Sequence, residues 1–147
     1  RKLLLFKPGW PVERTMPADV LHRLMLVEDD DDVRAVACMA LEAVGGFAVE
    51  QCSSGAEALQ RIVTLEPALR PQLILLDVMM PGLDGREVLQ ALRKMPAHAD
   101  IPVVFFTAKA QHEELRALSA LGVAGILCKP FDPMTLSDQV RDIWRNL

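Results

Sequence analysis

A doubly wound (βα)5 fold, a three-layer sandwich around a parallel five-stranded sheet, is what this sequence predicts, and three observations predict it. Short apolar runs recur along the chain, each bounded by turn signals. A segment with apolar residues at helical spacing follows each run. The runs are too continuous for half-exposed strands, which would alternate apolar and polar residues, and this points to strands buried on both faces. Strict alternation of five such strands with five helices makes the sheet parallel, with right-handed crossovers.

The first strand is Leu24-Met-Leu-Val27, which runs into Glu28-Asp-Asp-Asp-Asp32. The first helix carries Val33, Val36, Ala37, Ala40, Leu41 and Val44 at i, i+3, i+4, i+7, i+8 and i+11, a single apolar stripe. Phe47 to Cys52 reads as the second strand, and Ser54-Gly-Ala-Glu57 as a capping box opening a helix with Ala58, Leu59, Ile62 and Val63 inward. The third strand, Gln72 to Asp77, lies between Pro71 and the Pro81-Gly82 turn. Asp84-Gly-Arg-Glu87 offers a second cap, before Val88, Leu89 and Leu92. Pro102 to Phe106 forms the fourth strand and Leu115, Leu118 and Leu121 mark the fourth helix. Gly125 to Cys128 is the fifth strand, and Leu136, Val140, Ile143 and Trp144 give the fifth helix its buried face.

Each strand that matters to chemistry ends in a polar group, and parallel strands bring those ends to one edge of the sheet, where open α/β folds place their functional residues. Singly the groups are bland. An Asp at a strand end commonly caps a helix, a lone Thr makes a turn, and a Lys before Pro is a surface turn. One or two of the five acids suffice to cap the first helix, with Asp30 or Asp31 as the cap, so the remainder needs another account. Together Glu28, Asp29, Asp77, Thr107 and Lys129 form a phosphoryl-transfer constellation. A carboxylate can attack phosphorus, and clustered acids call for a hard cation such as Mg²⁺. A hydroxyl and an ammonium can hold the remaining phosphoryl oxygens.

At 147 residues the chain has room for one domain, and 51% apolar composition excludes a disordered chain. A net charge of −4 without a Lys/Arg run argues against direct nucleic-acid binding, and no apolar span is long enough to cross a membrane. Cys38, Cys52 and Cys128 are expected as buried reduced thiols of a cytoplasmic protein. His22, His98 and His112 are scattered and receive no role. Met79-Met80 is expected to pack in its loop. Residues 1–15 stand outside the pattern and read as a leader of cloned or upstream origin, with the domain proper at 22–147.

These five positions, in order and spacing, resemble the receiver domain of two-component response regulators, and the resemblance runs from about Arg23 to Trp144. It implies a flavodoxin-like fold with Asp77 as phosphoacceptor. Asp29 and Asp77 would ligate Mg²⁺ directly, Glu28 through water, and the Met79 carbonyl would be the third protein ligand. Thr107 and Lys129 would contact the phosphoryl group, and Lys129-Pro130 is expected to be cis. The implied partners are a histidine kinase or histidine phosphotransfer protein as donor and a downstream protein as target, with the chain a monomer or weak dimer. The implied role is a phosphoacceptor switch that assists its own phosphoryl transfer, not an enzyme. Its output face would be formed by the fourth helix, fifth strand and fifth helix.

The chain departs from the family at the position of its switch aromatic, which here is Ile126. Met79 and Lys109 occupy the places that set phosphoryl lifetime, and slow self-dephosphorylation is expected. A stand-alone, chemotaxis-type regulator is the favoured output class, and a receiver cut from a longer transcription factor or hybrid kinase is the first alternative. A flavodoxin-like cofactor binder would need a Ser/Thr/Gly phosphate loop where five acids stand. An Asp-nucleophile phosphohydrolase would need a second acid at Met79.

Overall fold

The first strand, β1, spans Arg23–Val27 and is fixed at its start by Gln72, whose Oε1 accepts from the backbone N–H groups of His22 and Arg23 at 2.8 and 2.9 Å. This computed structural model describes residues 20–108 and 111–147; the expected leader at 1–15 and Lys109 lie outside the described residues. β2 (Ala48–Cys52), β3 (Leu73–Asp77), β4 (Val103–Thr107) and β5 (Gly125–Cys128) complete a fully parallel sheet in the order β2-β1-β3-β4-β5. The order reverses between β1 and β3, so the crevice at their C-terminal ends is the topological switch point.

The helices are α1 (Asp31–Met39), continued by a π-helical turn over Ala40–Val44, then α2 (Gly55–Thr64), α3 (Gly85–Arg93), α4 (His112–Ser119) and α5 (Leu136–Arg145). Side chains alternate across each strand, so the sheet splits the interior in two. Leu24, Leu26, Leu73, Leu75, Val104 and Phe106 face α1 and α5, where they meet Ala37, Leu41, Leu136 and Val140. Met25, Val27, Ile74, Leu76, Val103 and Phe105 face α2, α3 and α4, against Ala58, Ile62, Val88, Leu92 and Leu118.

Several expectations about single residues are corrected. Val36 and Val44, expected on the buried stripe, are exposed. The π turn, whose Gly45 N–H reaches the Ala40 carbonyl five residues back at 3.2 Å, changes the angular spacing from Ala40 onward and so carries Val44 off the stripe; Val36 precedes the turn and stands at the margin of the buried face. Val63 is exposed on α2, and Leu121 is exposed because α4 has ended before it. The Asp84/Glu87 capping box is complete. At α2 only half of one forms: Ser54 Oγ accepts from the Glu57 N–H, but Glu57 reaches the N–H of Ser53 instead of Ser54. Cys38 and Cys52 are buried, whereas Cys128, on the edge strand β5, is exposed. Met80 packs inward while Met79 points to solvent.

Candidate functional site

The acid run after β1 divides its labour. Asp30 is the N-cap of α1, its Oδ1 accepting from the N–H groups of Asp32 and Val33 at 2.9 and 3.0 Å. Asp31 pairs with Arg34. Glu28, only 1% exposed, and half-buried Asp29 are left facing the crevice.

Asp77, the last residue of β3, is buried opposite them. One carboxylate oxygen each from Glu28, Asp29 and Asp77 can be chosen so that all lie within 4.8 Å of one another. Across the crevice, Lys129 follows β5 and places its Nζ 2.5 Å from Glu28 Oε1 and 3.3 Å from Asp77 Oδ1. Its backbone N–H donates to the Thr107 carbonyl at 2.8 Å, and the Lys129–Pro130 peptide is cis. Thr107 ends β4 and is buried at the same edge. The crevice therefore gathers Glu28, Asp29, Asp77, Thr107 and Lys129, with Met79 beside them in the loop after β3, its N–H donating to Asp77 Oδ1 at 3.3 Å.

Electrostatics follow from this crowding. Burial, reinforced by the hydrogen bond and negative charge of Glu28, pushes the Asp77 carboxyl up to about 7 in the metal-free chain; Lys129 pulls the other way without cancelling the rise. Burial disfavours the Lys129 ammonium, but its hydrogen bond to Glu28 and the charges of Asp77 and Glu28 outweigh that, so it titrates above its ordinary value. Three converging carboxylates are an oxygen-only donor set that fits a hard divalent cation with part of its water shell kept.

Two features of the site escape a reading of the sequence. Arg34 donates from Nη1 to the Glu28 carbonyl at 2.9 Å. Its one signal is a cation in the first turns of a helix, where the macrodipole disfavours positive charge. Phe106 and Phe131 form the second feature: their rings lie 5.3 Å apart, and Lys129 Nζ is 5.2 Å from the Phe106 centroid. No spacing in the sequence ties these two aromatics together.

Gly85, at the start of α3, brings its backbone against the end of β3 beside Asp77. A Cβ there would stand 2.5 Å from the Asp77 carbonyl oxygen and 2.8 Å from Val78 Cα. Only a residue without a side chain lets α3 sit this near.

Residues 24–141 match the family model of the response regulator receiver domain. The chain is 37% identical over 122 residues to the probable transcriptional regulator ycf29 of Porphyra purpurea, covering 83% of this chain and 56% of that protein. It is 36% identical over 124 residues to the response regulator Rre1 of Synechocystis sp., covering 84% and 50%. It thus spans about half the length of the curated relatives it matches. Among solved structures, the chemotaxis response regulator CheY4 of Vibrio cholerae aligns with a TM-score of 0.74 at 28% identity, over 84% of this chain and 98% of that one.

Proposed function

The chain belongs to the response regulator receiver family, and from that premise we propose that it is a phosphoacceptor switch in which Asp77 takes a phosphoryl group from a phosphohistidine. The donor is a histidine kinase or histidine phosphotransfer protein. The observation that carries this reading is the meeting of Glu28, Asp29 and Asp77 under the Lys129 ammonium at the sheet's switch point.

In the transfer, an Asp77 carboxylate oxygen forms the new O–P bond as the N–P bond to the donor imidazole breaks, and that nitrogen regains its proton from water. Asp29, Asp77 and the Met79 carbonyl would hold Mg²⁺, with Glu28 acting through water. When bound, the ion would supply positive charge against the phosphoryl oxygens. Lys129 and Thr107 take the remaining oxygens.

The added charge of about −1.5 to −2 draws Lys129 away from Glu28, and Thr107 inward, toward the phosphoryl group. We place the readout on the face of α4, β5 and α5, where half-buried Ile126 repacks, and the target is a protein and not nucleic acid. The free thiols suit a reducing cytoplasm. Met79 is 62% exposed and its side chain cannot orient a hydrolytic water by strong hydrogen bonding, which supports slow self-dephosphorylation. A phosphoprotein lifetime of seconds would overturn that part.

Intact mass after incubation with acetyl phosphate tests the whole. The expected result is one added phosphoryl group that requires both Mg²⁺ and Asp77 and is absent in Asp77→Asn. Addition that persists in Asp77→Asn would overturn the assignment.

A further inference from the structure

We infer that Arg34 is a positioning residue that fixes the Glu28–Asp29 peptide and thereby sets the acid pair for Mg²⁺; this rests on the proposed function. Arg34 Nη1 donates to the Glu28 carbonyl at 2.9 Å, and that carbonyl belongs to the peptide joining the two acids. The guanidinium is aimed by its other arm, with Nη2 2.6 Å from Asp31 Oδ1, and its side chain is only 18% exposed. On the far side of Glu28, the backbone N–H donates to the Cys52 carbonyl of β2 at 3.0 Å. The Asp30 N–H holds Glu28 Oε2 at 3.1 Å. Glu28 is thus clamped through its N–H, its carboxylate and its carbonyl, and the last of these depends on a side chain.

Arg34 stands where its charge is least welcome. It lies in the first turns of α1, against the helix dipole, and beside a site meant for a cation. Were it a bystander charge, removing it would tighten Mg²⁺ binding, because one repelling positive charge would be gone. As a positioning group its loss must weaken binding, because the freed peptide lets Asp29 and Glu28 turn out of register. Partners that orient metal ligands from behind typically contribute about 10–100-fold in affinity. The sign of the change separates the two roles.

The experiment is calorimetric titration of MgCl₂ into the full chain, for the parent, Asp77→Asn, Arg34→Met and Arg34→Lys, each checked for folding by circular dichroism. We expect Arg34→Met to bind about ten-fold more weakly than the parent and Arg34→Lys to fall between. Equal or tighter binding by Arg34→Met overturns the inference. Should Arg34→Met fail to fold, Arg34→Lys carries the decision, since it keeps the charge and loses the forked donor; parent-like affinity then overturns it. Absence of Mg²⁺ binding in the parent, or unchanged binding in Asp77→Asn, instead defeats the functional reading beneath it. Phosphorylation by acetyl phosphate gives a second readout: Arg34→Met should need more Mg²⁺ for half-maximal rate while reaching a near-parent rate at saturation. A lower saturating rate with unchanged Mg²⁺ dependence would show a general defect of the fold and overturn the assignment.

Discussion

Asp77 keeps its proton longer than an ordinary carboxyl because burial and Glu28 both penalise its charge, raising it from 3.8 to about 7 without metal. A carboxyl raised in the folded state binds more protons there than in the unfolded chain between those two values. Its contribution to stability is therefore lost as pH rises from about 4 to 7. In EDTA at pH 8, Asp77→Asn should be more stable than the parent by up to about 4 kcal/mol, because each tenfold difference in proton affinity between the folded and unfolded chain is worth roughly 1.4 kcal/mol. The gap should close toward pH 4; chemical denaturation across that range checks it.

Lys129→Met has opposite effects on binding and on chemistry. Removing the ammonium from two acids should tighten Mg²⁺ binding in calorimetry, while phosphorylation slows because an oxyanion contact is gone. Thiol chemistry separates the cysteines as well. Burial, followed by Glu42, pushes Cys38 up to about 11, and burial, followed by Glu57, pushes Cys52 up to about 12. Iodoacetamide at pH 8 should label only Cys128 in the folded chain and all three after denaturation, read by peptide mass.

Among the elements, β3 and α3 are the most legible in the sequence. A continuous apolar run has one use in a parallel sheet, and the Asp84/Glu87 box fixes where the following helix begins. α1 is legible as a helix but not in its facing. Periodicity assumes about 3.6 residues per turn, and for Val44 the π turn from Ala40 to Val44 breaks that assumption through backbone bonds that no residue type announces. The exposure of Cys128 is hidden as well: β2 and β5 are both edge strands, yet Cys52 at the end of β2 is buried and Cys128 at the end of β5 is exposed, a difference set by what packs over each strand end and not by the strand's own residues. The site acids are legible because each closes its strand. Arg34 is not, since its partner is a carbonyl.

Gly85 carries the prediction at this scale. A methyl placed 2.5 Å from the Asp77 carbonyl must move α3 or the end of β3. Gly85→Ala should lower stability by about 1–3 kcal/mol and slow phosphorylation by acetyl phosphate, with chemical denaturation and intact mass as the readouts.

At the scale of the molecule, the acids of the crevice come from the ends of two strands, β1 and β3, so an ion held there ties parts of the chain that are remote in sequence. A ligand that binds only the folded state adds about 2.7 kcal/mol at one hundred times its dissociation constant. Saturating Mg²⁺ should raise the midpoint of thermal unfolding by several degrees in the parent and by less in Asp77→Asn, as followed by calorimetry.

The five-stranded wall that parts the interior governs how this sequence can drift. A methylene lost from Leu41 opens space on the α1 and α5 side of the sheet, and one lost from Leu92 on the side of α2, α3 and α4. A gap on either side can be refilled only by a neighbour on that side. The protein has in effect two separate puzzles sharing a border, each free to be re-solved by compensating substitutions while the other stands. What both must leave alone is the upper rim of the wall, where Glu28, Asp29, Asp77, Thr107 and Lys129 belong to neither.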